Sequence, residues 1–380
     1  MNSQYSNVTV TRDEADKYRE AAADAILIRA GVQMDRPSPG ADDLRSMRLK
    51  DLAVECVAKN GNGRANNLND EELLREALSP DSQFSSIVST AANKSAAIAY
   101  NAAPTTYKAW TSRGSNPNFK TATHYQISEA GGLEMIPEKR EIRLDDVFKF
   151  DNVFKFDEME DRGVHKSVAT FGRSWGFSRQ AIINDELDVL AKIPQAYTRA
   201  AYKGINRLVY MQLGANIRIF DGLPLFHADH FNLAVNGGAI GIDSVGEGRV
   251  AMKTQKNLRG MEVINASPAI LIVPSIREAD ARKFVDTNTR PTTFAEVNPF
   301  AGKLLVVTDS ELDSYSPTAW YLAADPKEVE TIEVTYLNDT EVPTIESKVS
   351  FETLGINFRI YIDYGVTVLD YRGLYKNSGI

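Results

Sequence analysis

Two consecutive hexads, Val147-Phe-Lys-Phe-Asp-Asn152 and Val153-Phe-Lys-Phe-Asp-Glu158, constrain this chain most. Six is an even number, so in an extended strand both copies present the same face. Phe148, Phe150, Phe154 and Phe156 would line one side, and Val147, Lys149, Asp151, Val153, Lys155 and Asp157 the other. Alternatively, Asp151-Asn152 turns the chain and makes a hairpin. Burying one phenylalanine fully contributes about 1.5–3 kcal/mol, and leaving four of them open invites aggregation. The stripe therefore packs inside its own domain or is covered by another chain. The interleaved Lys and Asp suit subunit pairing through complementary charge. The expected interface residues are Phe148, Lys149, Phe150, Asp151, Phe154, Lys155, Phe156 and Asp157.

The rest of the chain bounds what such a surface serves. Its 380 residues make roughly two to three domains. The net charge of −8 argues against a chain whose main task is to coat nucleic acid. The single cysteine, Cys56, excludes a disulfide framework and any multi-cysteine metal site. No stretch reaches the length of a membrane-spanning helix, and the first residues lack a secretory pattern, so no membrane partner is expected.

Along the chain, the first hundred residues read as helical. Thr11 and Glu14 have capping-box form, and Ala15, Tyr18, Ala22 and Ile26 stripe a helix that stops at Gly31. Further helices are expected at about 44–59, from about Asn69, and at 82–101. All are short or alanine-rich, which predicts a separate, weakly stable unit or one that leans on a partner. Strand character follows over 121–180. A short helix from Asn184 and a long one from Pro194 to Leu213 come next, with Pro194 in the first turn and Gly214 as the stop. A glycine-rich loop at 227–248, a helix at 247–256, a strand at 269–273 and a helix at 275–286 follow. Strands are expected at 303–307, 319–323, 332–337, 358–362 and 366–369. This order is not the alternation of a doubly wound sheet, so the fold class is α+β.

Few residues offer chemistry. His227-Ala-Asp-His230 is the most site-like cluster, but no third ligand pattern accompanies it. A polar loop whose histidines cap backbone groups is the plainer reading. A hydrolase or metal-dependent enzyme centred on His227, Asp229 and His230 is the enzymatic alternative. The glycines of 237–248 form neither of the common phosphate loops, and there is no nucleophile elbow. Cys56 falls on an apolar helix face, where a packed thiol is inert. No catalytic residue, cofactor or metal site is expected.

Five separated segments carry a resemblance. FGRSWGFSRQAIIND at 171–185 is joined by LFHADHFNL at 225–233 and VNPFAGKL at 297–304. TAWYLAADP at 318–326 and DYRGLYKN at 370–377 complete the set. In this order they resemble the major capsid proteins of tailed bacteriophages. More narrowly, they resemble the Mu-like major head subunits, including those fused behind a prohead protease. The resemblance covers about residues 85–380 well and the first 80 loosely. It implies a Hong Kong 97-like fold: a helical amino-terminal segment at 1–102 that is either scaffold-like and removed or kept, and an amino-terminal arm at 103–125. An extended E-loop at 126–180 would hold the hexads and lie across a neighbouring subunit. A peripheral domain at 181–215 and 326–380 would hold the spine helix, and an axial domain would occupy 216–325. It further implies a structural, non-enzymatic subunit that assembles with itself into hexamers and pentamers of an icosahedral shell around packaged double-stranded DNA, in the bacterial host cytoplasm. Prohead protease, scaffold and portal are the implied partners. Another ring-forming phage component is the alternative.

Overall fold

The computed structural model describes residues 14–59, 68–79, 82–102, 105–127, 161–258, 260, 262–286, 297–350 and 355–380. In chain order the helices are α1 (Glu14–Arg29), α2 (Ala41–Leu44), α3 (Leu49–Lys59), α4 (Asp70–Ala77), α5 (Gln83–Asn101), α6 (Arg179–Ile183), α7 (Asp188–Gly214), α8 (Ile242–Lys253) and α9 (Glu278–Val285). The strands are β1 (Ser112–Asn116), β2 (Ala122–Ile127), β3 (Asp161–Lys166), β4 (Ala169–Ser178), β5 (Pro268–Pro274), β6 (Leu305–Asp309), β7 (Trp320–Ala324), β8 (Ile332–Leu337), β9 (Thr344–Ser350), β10 (Gly355–Val368) and β11 (Leu374–Asn377). Helices and strands are segregated rather than alternating, so the α+β expectation stands.

The chain divides into two compact units. The first comprises Met1–Thr105, Ala169–Gly204 and Thr340–Asp363. Local signals start and stop its helices. α1 ends where Gly31 turns left-handed, with Val32 N–H donating to Leu27 O and Gly31 N–H to Ile28 O, both at 3.0 Å. Asn69 caps α4, its Oδ1 accepting from Glu71 N–H at 3.1 Å and Glu72 N–H at 2.8 Å. Ser82 caps α5 through Phe84 N–H. Thr11, expected as the cap of α1, lies outside the described residues.

The expectation that these helices stand apart is not met. One apolar core joins Ile26, Leu27, Leu52, Phe84, Ile87 and Val88 to Trp175, Phe177, Ile182, Leu190, Ile356, Phe358 and Ile360. The physical reason is the small size of the helix side chains. Ala22, Ala23, Ala53, Ala91 and Ala92 are fully buried, so each helix buries little by itself and needs the large side chains of β4 and β10 opposite. Trp175 stacks on Phe358 at 5.1 Å and meets the edge of Tyr197 at 5.5 Å.

The two helices expected around residues 184–213 are corrected. A five-residue α6 ends at Ile183, and α7 runs through Pro194 for 27 residues. Proline lacks the N–H that would bond four residues back, and its ring crowds the preceding turn. Two hydroxyls support this stretch: Ser95 donates to Ala191 O at 2.6 Å and Thr198 to Pro194 O at 2.9 Å.

The second unit comprises Thr106–Val168, Ile205–Asp339 and Tyr364–Ile380. β1 runs parallel to β8, and the last residues of β10 pair antiparallel with β8, from Tyr364↔Tyr336 to Val368↔Ile332. A second sheet has the order β11-β7-β5-β6. α8 covers it, beginning earlier than expected, at Ile242. Gly248 lies inside α8, not in a loop: a Cβ there would meet Tyr375 and Leu322 at 2.7–2.8 Å, so its bare backbone lets the helix sit down on the sheet. The strands expected at 358–362 and 366–369 are one continuous β10.

Candidate functional site

The expected interface residues Phe148, Lys149, Phe150, Asp151, Phe154, Lys155, Phe156 and Asp157 lie outside the described residues. What is described is the pair of strands that bracket them. β2 and β3 form an antiparallel ribbon in register from Ala122↔Lys166 to Ile127↔Asp161, and residues 128–160 connect its ends. The hexads are thus carried between the two strands of a hairpin stem.

The stem is tied to the second unit by charge. Lys166, at its base, reaches Glu333 of β8, with Nζ at 2.9 Å from Oε1 and 3.3 Å from Oε2. Glu333 is only 4% exposed, and Thr335 Oγ1 donates to the same carboxylate. The space it occupies exists because β1 carries glycine at 114, where a Cβ would collide with that carboxylate. A buried charge with no partner is costly, so this pair fixes the base of the hairpin in one place. On the next inward turn of β3, the Arg162 guanidinium lies 4.1 Å from the Phe220 ring centroid. Burial pulls the Arg162 pKa below its usual value, and the nearby Asp370 carboxylate works against that shift.

A second polar tie holds the residues after α5. Tyr210 of α7 donates to Thr106 Oγ1 at 2.9 Å, and Trp110 Nε1 donates to Tyr210 at 3.3 Å. Asp309 Oδ2, at the end of β6, accepts from Thr106 Oγ1 at 2.5 Å and from Asn206 Nδ2 at 2.6 Å. The segment that leads into β1 is therefore anchored to both a helix and a sheet. Burial pushes the Tyr210 phenol well above its usual range, so it acts as a neutral hydrogen-bonding group.

The histidine cluster behaves as a structural turn. His227 precedes a 3-10 turn at Ala228–His230, and its Nδ1 accepts from Asp229 N–H at 3.2 Å. His230 is buried, with Nδ1 3.1 Å from Leu225 O and Nε2 2.7 Å from Asp221 Oδ2, and stacks on Tyr371 at 4.0 Å. Each ring nitrogen of His230 is thus engaged by the fold. Among the described residues no group of three or more His, Cys, Asp or Glu is placed to hold a metal ion. Beside this turn is a cavity of about 900 Å³ lined by Leu233, Ala251, Leu258, Tyr371 and Tyr375, with Glu247 and Lys256 among its polar residues. Phe231, 74% exposed and left-handed at φ 53°, and Val235, 97% exposed, stand at it. Cys56 is fully buried in the first unit and burial pushes its thiol up to about 12, which leaves it without thiolate character near neutrality.

Sequence reasoning missed Lys166, Glu333, Arg162 and the Thr106–Asp309 tie. The one available signal was Glu333 itself, a lone acid inside the otherwise apolar and hydroxyl-bearing run Ile332–Leu337.

Comparison with known proteins places this geometry. The family model described as phage capsid protein matches residues 163–377. That is more than half of the chain, and it includes most of β3, the Lys166–Glu333 pair and the histidine turn. The chain belongs to the phage capsid protein family. No curated protein matches it. Similar solved structures include the cyanophage Pam1 capsid asymmetric unit, with 11% identity over 68% of this chain and 85% of that one and a TM-score of 0.43. A virus-like particle from Pyrococcus furiosus has 11% identity over 75% and 97%, with a TM-score of 0.43. The capsid of Ralstonia phage GP4 has 10% identity over 71% and 87%, with a TM-score of 0.45. The family assignment rests on the matched residues. With it, the expectation of a phage capsid protein stands: a structural component of a virion, here with a long helix, the β2–β3 ribbon and mixed sheets. No helix among the described residues is long and apolar enough to cross a membrane.

Proposed function

We propose that this chain assembles with itself into the hexamers and pentamers of a closed icosahedral shell that encloses double-stranded DNA. The observation that carries this reading is the family match over residues 163–377. Assembly would occur in the host cytoplasm, with scaffold, prohead protease and portal as partners. The arm would be residues 103–125, the E-loop 126–180, the peripheral domain 181–215 and 326–380, and the axial domain 216–325. The mechanism is repeated heterologous contact that closes, not catalysis. In this reading the hexads on the E-loop are covered by a neighbouring copy, and the Lys166–Glu333 pair aims the loop that carries them. A net charge of −8 suits a container that encloses DNA without gripping its phosphates.

Size-exclusion chromatography followed by electron microscopy tests this. Rings or closed shells are expected; a stable monomer at high concentration, with neither, overturns it. The hexads have their own test. Phe150→Ser with Phe154→Ser is expected to leave circular dichroism unchanged and to abolish particles. Global unfolding would instead assign the stripe to an intramolecular core.

A further inference from the structure

We infer that residues 14–101 are a permanent half of the first unit's core, so that the subunit keeps them in its finished form. The core already described has no boundary between the amino-terminal helices and the strands that follow. Taking α1–α5 away would bare the stacked Trp175 and Phe358 pair together with Phe177, Ile182, Leu190, Ile356 and Ile360. These are large aromatic and aliphatic faces on β4, α6, α7 and β10, and a contiguous exposed patch of this kind leads to aggregation.

Polar ties reinforce the apolar ones, and they too cross from the helices to the later segments. Asp185, in the turn before α7, has the left-handed backbone at φ 59° that a non-glycine residue adopts only when its surroundings hold it. Its carboxylate accepts from Leu49 N–H at 2.9 Å, which is the first residue of α3, and pairs with Arg29 at the end of α1. Arg29 also donates to Met47 O. One carboxylate thus holds two amino-terminal helix ends against the turn. Ser95 of α5 donates to Ala191 O beside the proline of α7. Within the helices, the fully buried Asp24 carboxylate is met by Lys94 Nζ at 2.6 Å and by Ser38 N–H at 2.7 Å. A detachable appendage would need its own closed core and a seam of water-tolerant contacts. Here the apolar core runs without a break into β4, β10 and α7, and polar contacts reach Asp185 and Ala191 as well.

The test is a full-length chain with a site-specific protease sequence inserted between Ala102 and Thr105. After cleavage, both fragments are expected to co-elute in native buffer with unchanged tryptophan emission, and to part only in denaturant, together with loss of that signal. Precipitation of the later fragment once separated supports the same conclusion. Release of the amino-terminal fragment from a remainder that stays soluble with a native near-ultraviolet spectrum overturns it. Should the insertion itself prevent folding, native-state hydrogen exchange on the unmodified chain decides. Amides of α1 and α5 are expected to exchange within about tenfold of those in β10, and exchange faster by several orders of magnitude overturns the inference. Intact mass of subunits in purified particles is a third arm, and it alone rests on the shell reading. Full-length subunits are expected there, and subunits lacking the first hundred residues overturn retention without touching assembly.

Discussion

The two units combine apolar burial and polar ties in different ways. In the first, alanine-rich helices bury small side chains against a few large ones on β4 and β10, and the stabilisation is spread over many contacts. In the second, aromatic residues with hydroxyl groups and a few buried charges form specific ties: Tyr210 to Thr106, Asp309 to Asn206, Lys166 to Glu333. Dispersed apolar burial tolerates the loss of any one methyl group but sets no direction. Directional ties set where a segment points, and they fail sharply when one partner is removed. The β2–β3 stem, which brackets the hexads in the chain, belongs to the second kind.

That contrast can be broken experimentally. The largest effect is expected from Phe358→Ala, which empties a fully buried aromatic site beneath Trp175 and should cost about 3–5 kcal/mol. Thermal or denaturant unfolding measures it, and a loss under 1 kcal/mol would mean that the first unit does not rest on this stack. Next comes Glu333→Ala, which strands Lys166 in a mostly buried place and should cost about 3 kcal/mol. Its companion, Lys166→Met with Glu333→Leu, should recover most of that stability while loosening the direction of the hairpin. A double-mutant cycle reads the coupling, and additive costs would show that the two groups do not act as a pair. The smallest is Asn69→Ala, which removes the cap of α4 and should cost about 1 kcal/mol, seen as faster amide exchange at Glu71 and Glu72. Unaltered exchange there would mean that packing alone holds that helix end.

Much of this fold could be read from local pattern. The helix starts near Asn69 and Ser82, the stop at Gly31, and strands such as β5 and β8 depend on residues a few positions apart, and there the expectation and the structure agree. The histidine turn was also legible, since glycine and proline upstream argue for a loop in which His227 caps a backbone N–H. Where local pattern misled, a distant partner was the reason. Gly246 and Gly248 suggested a loop, but α8 runs through them because Tyr375 and Leu322 demand close approach at Gly248. Pro194 suggested a helix start, but α7 begins earlier, with Ser95 and Thr198 hydroxyls bonding its backbone carbonyls. Alanine-rich helices suggested a weak separate unit, because the large side chains that complete their core come eighty and more residues later.

By itself, then, the sequence determined the element order, the α+β class, the poverty of reactive groups and the unusual apolar repeat at 147–158. Those properties follow from periodicity and residue type, which act over a turn or a strand. Only the tertiary structure decided which charges are buried, which helices share a core, and which residues anchor the hairpin. Lys166 and Glu333 are 167 positions apart. No local rule pairs them, because their meeting depends on the topology that brings β3 and β8 to one place and on the missing side chain at Gly114.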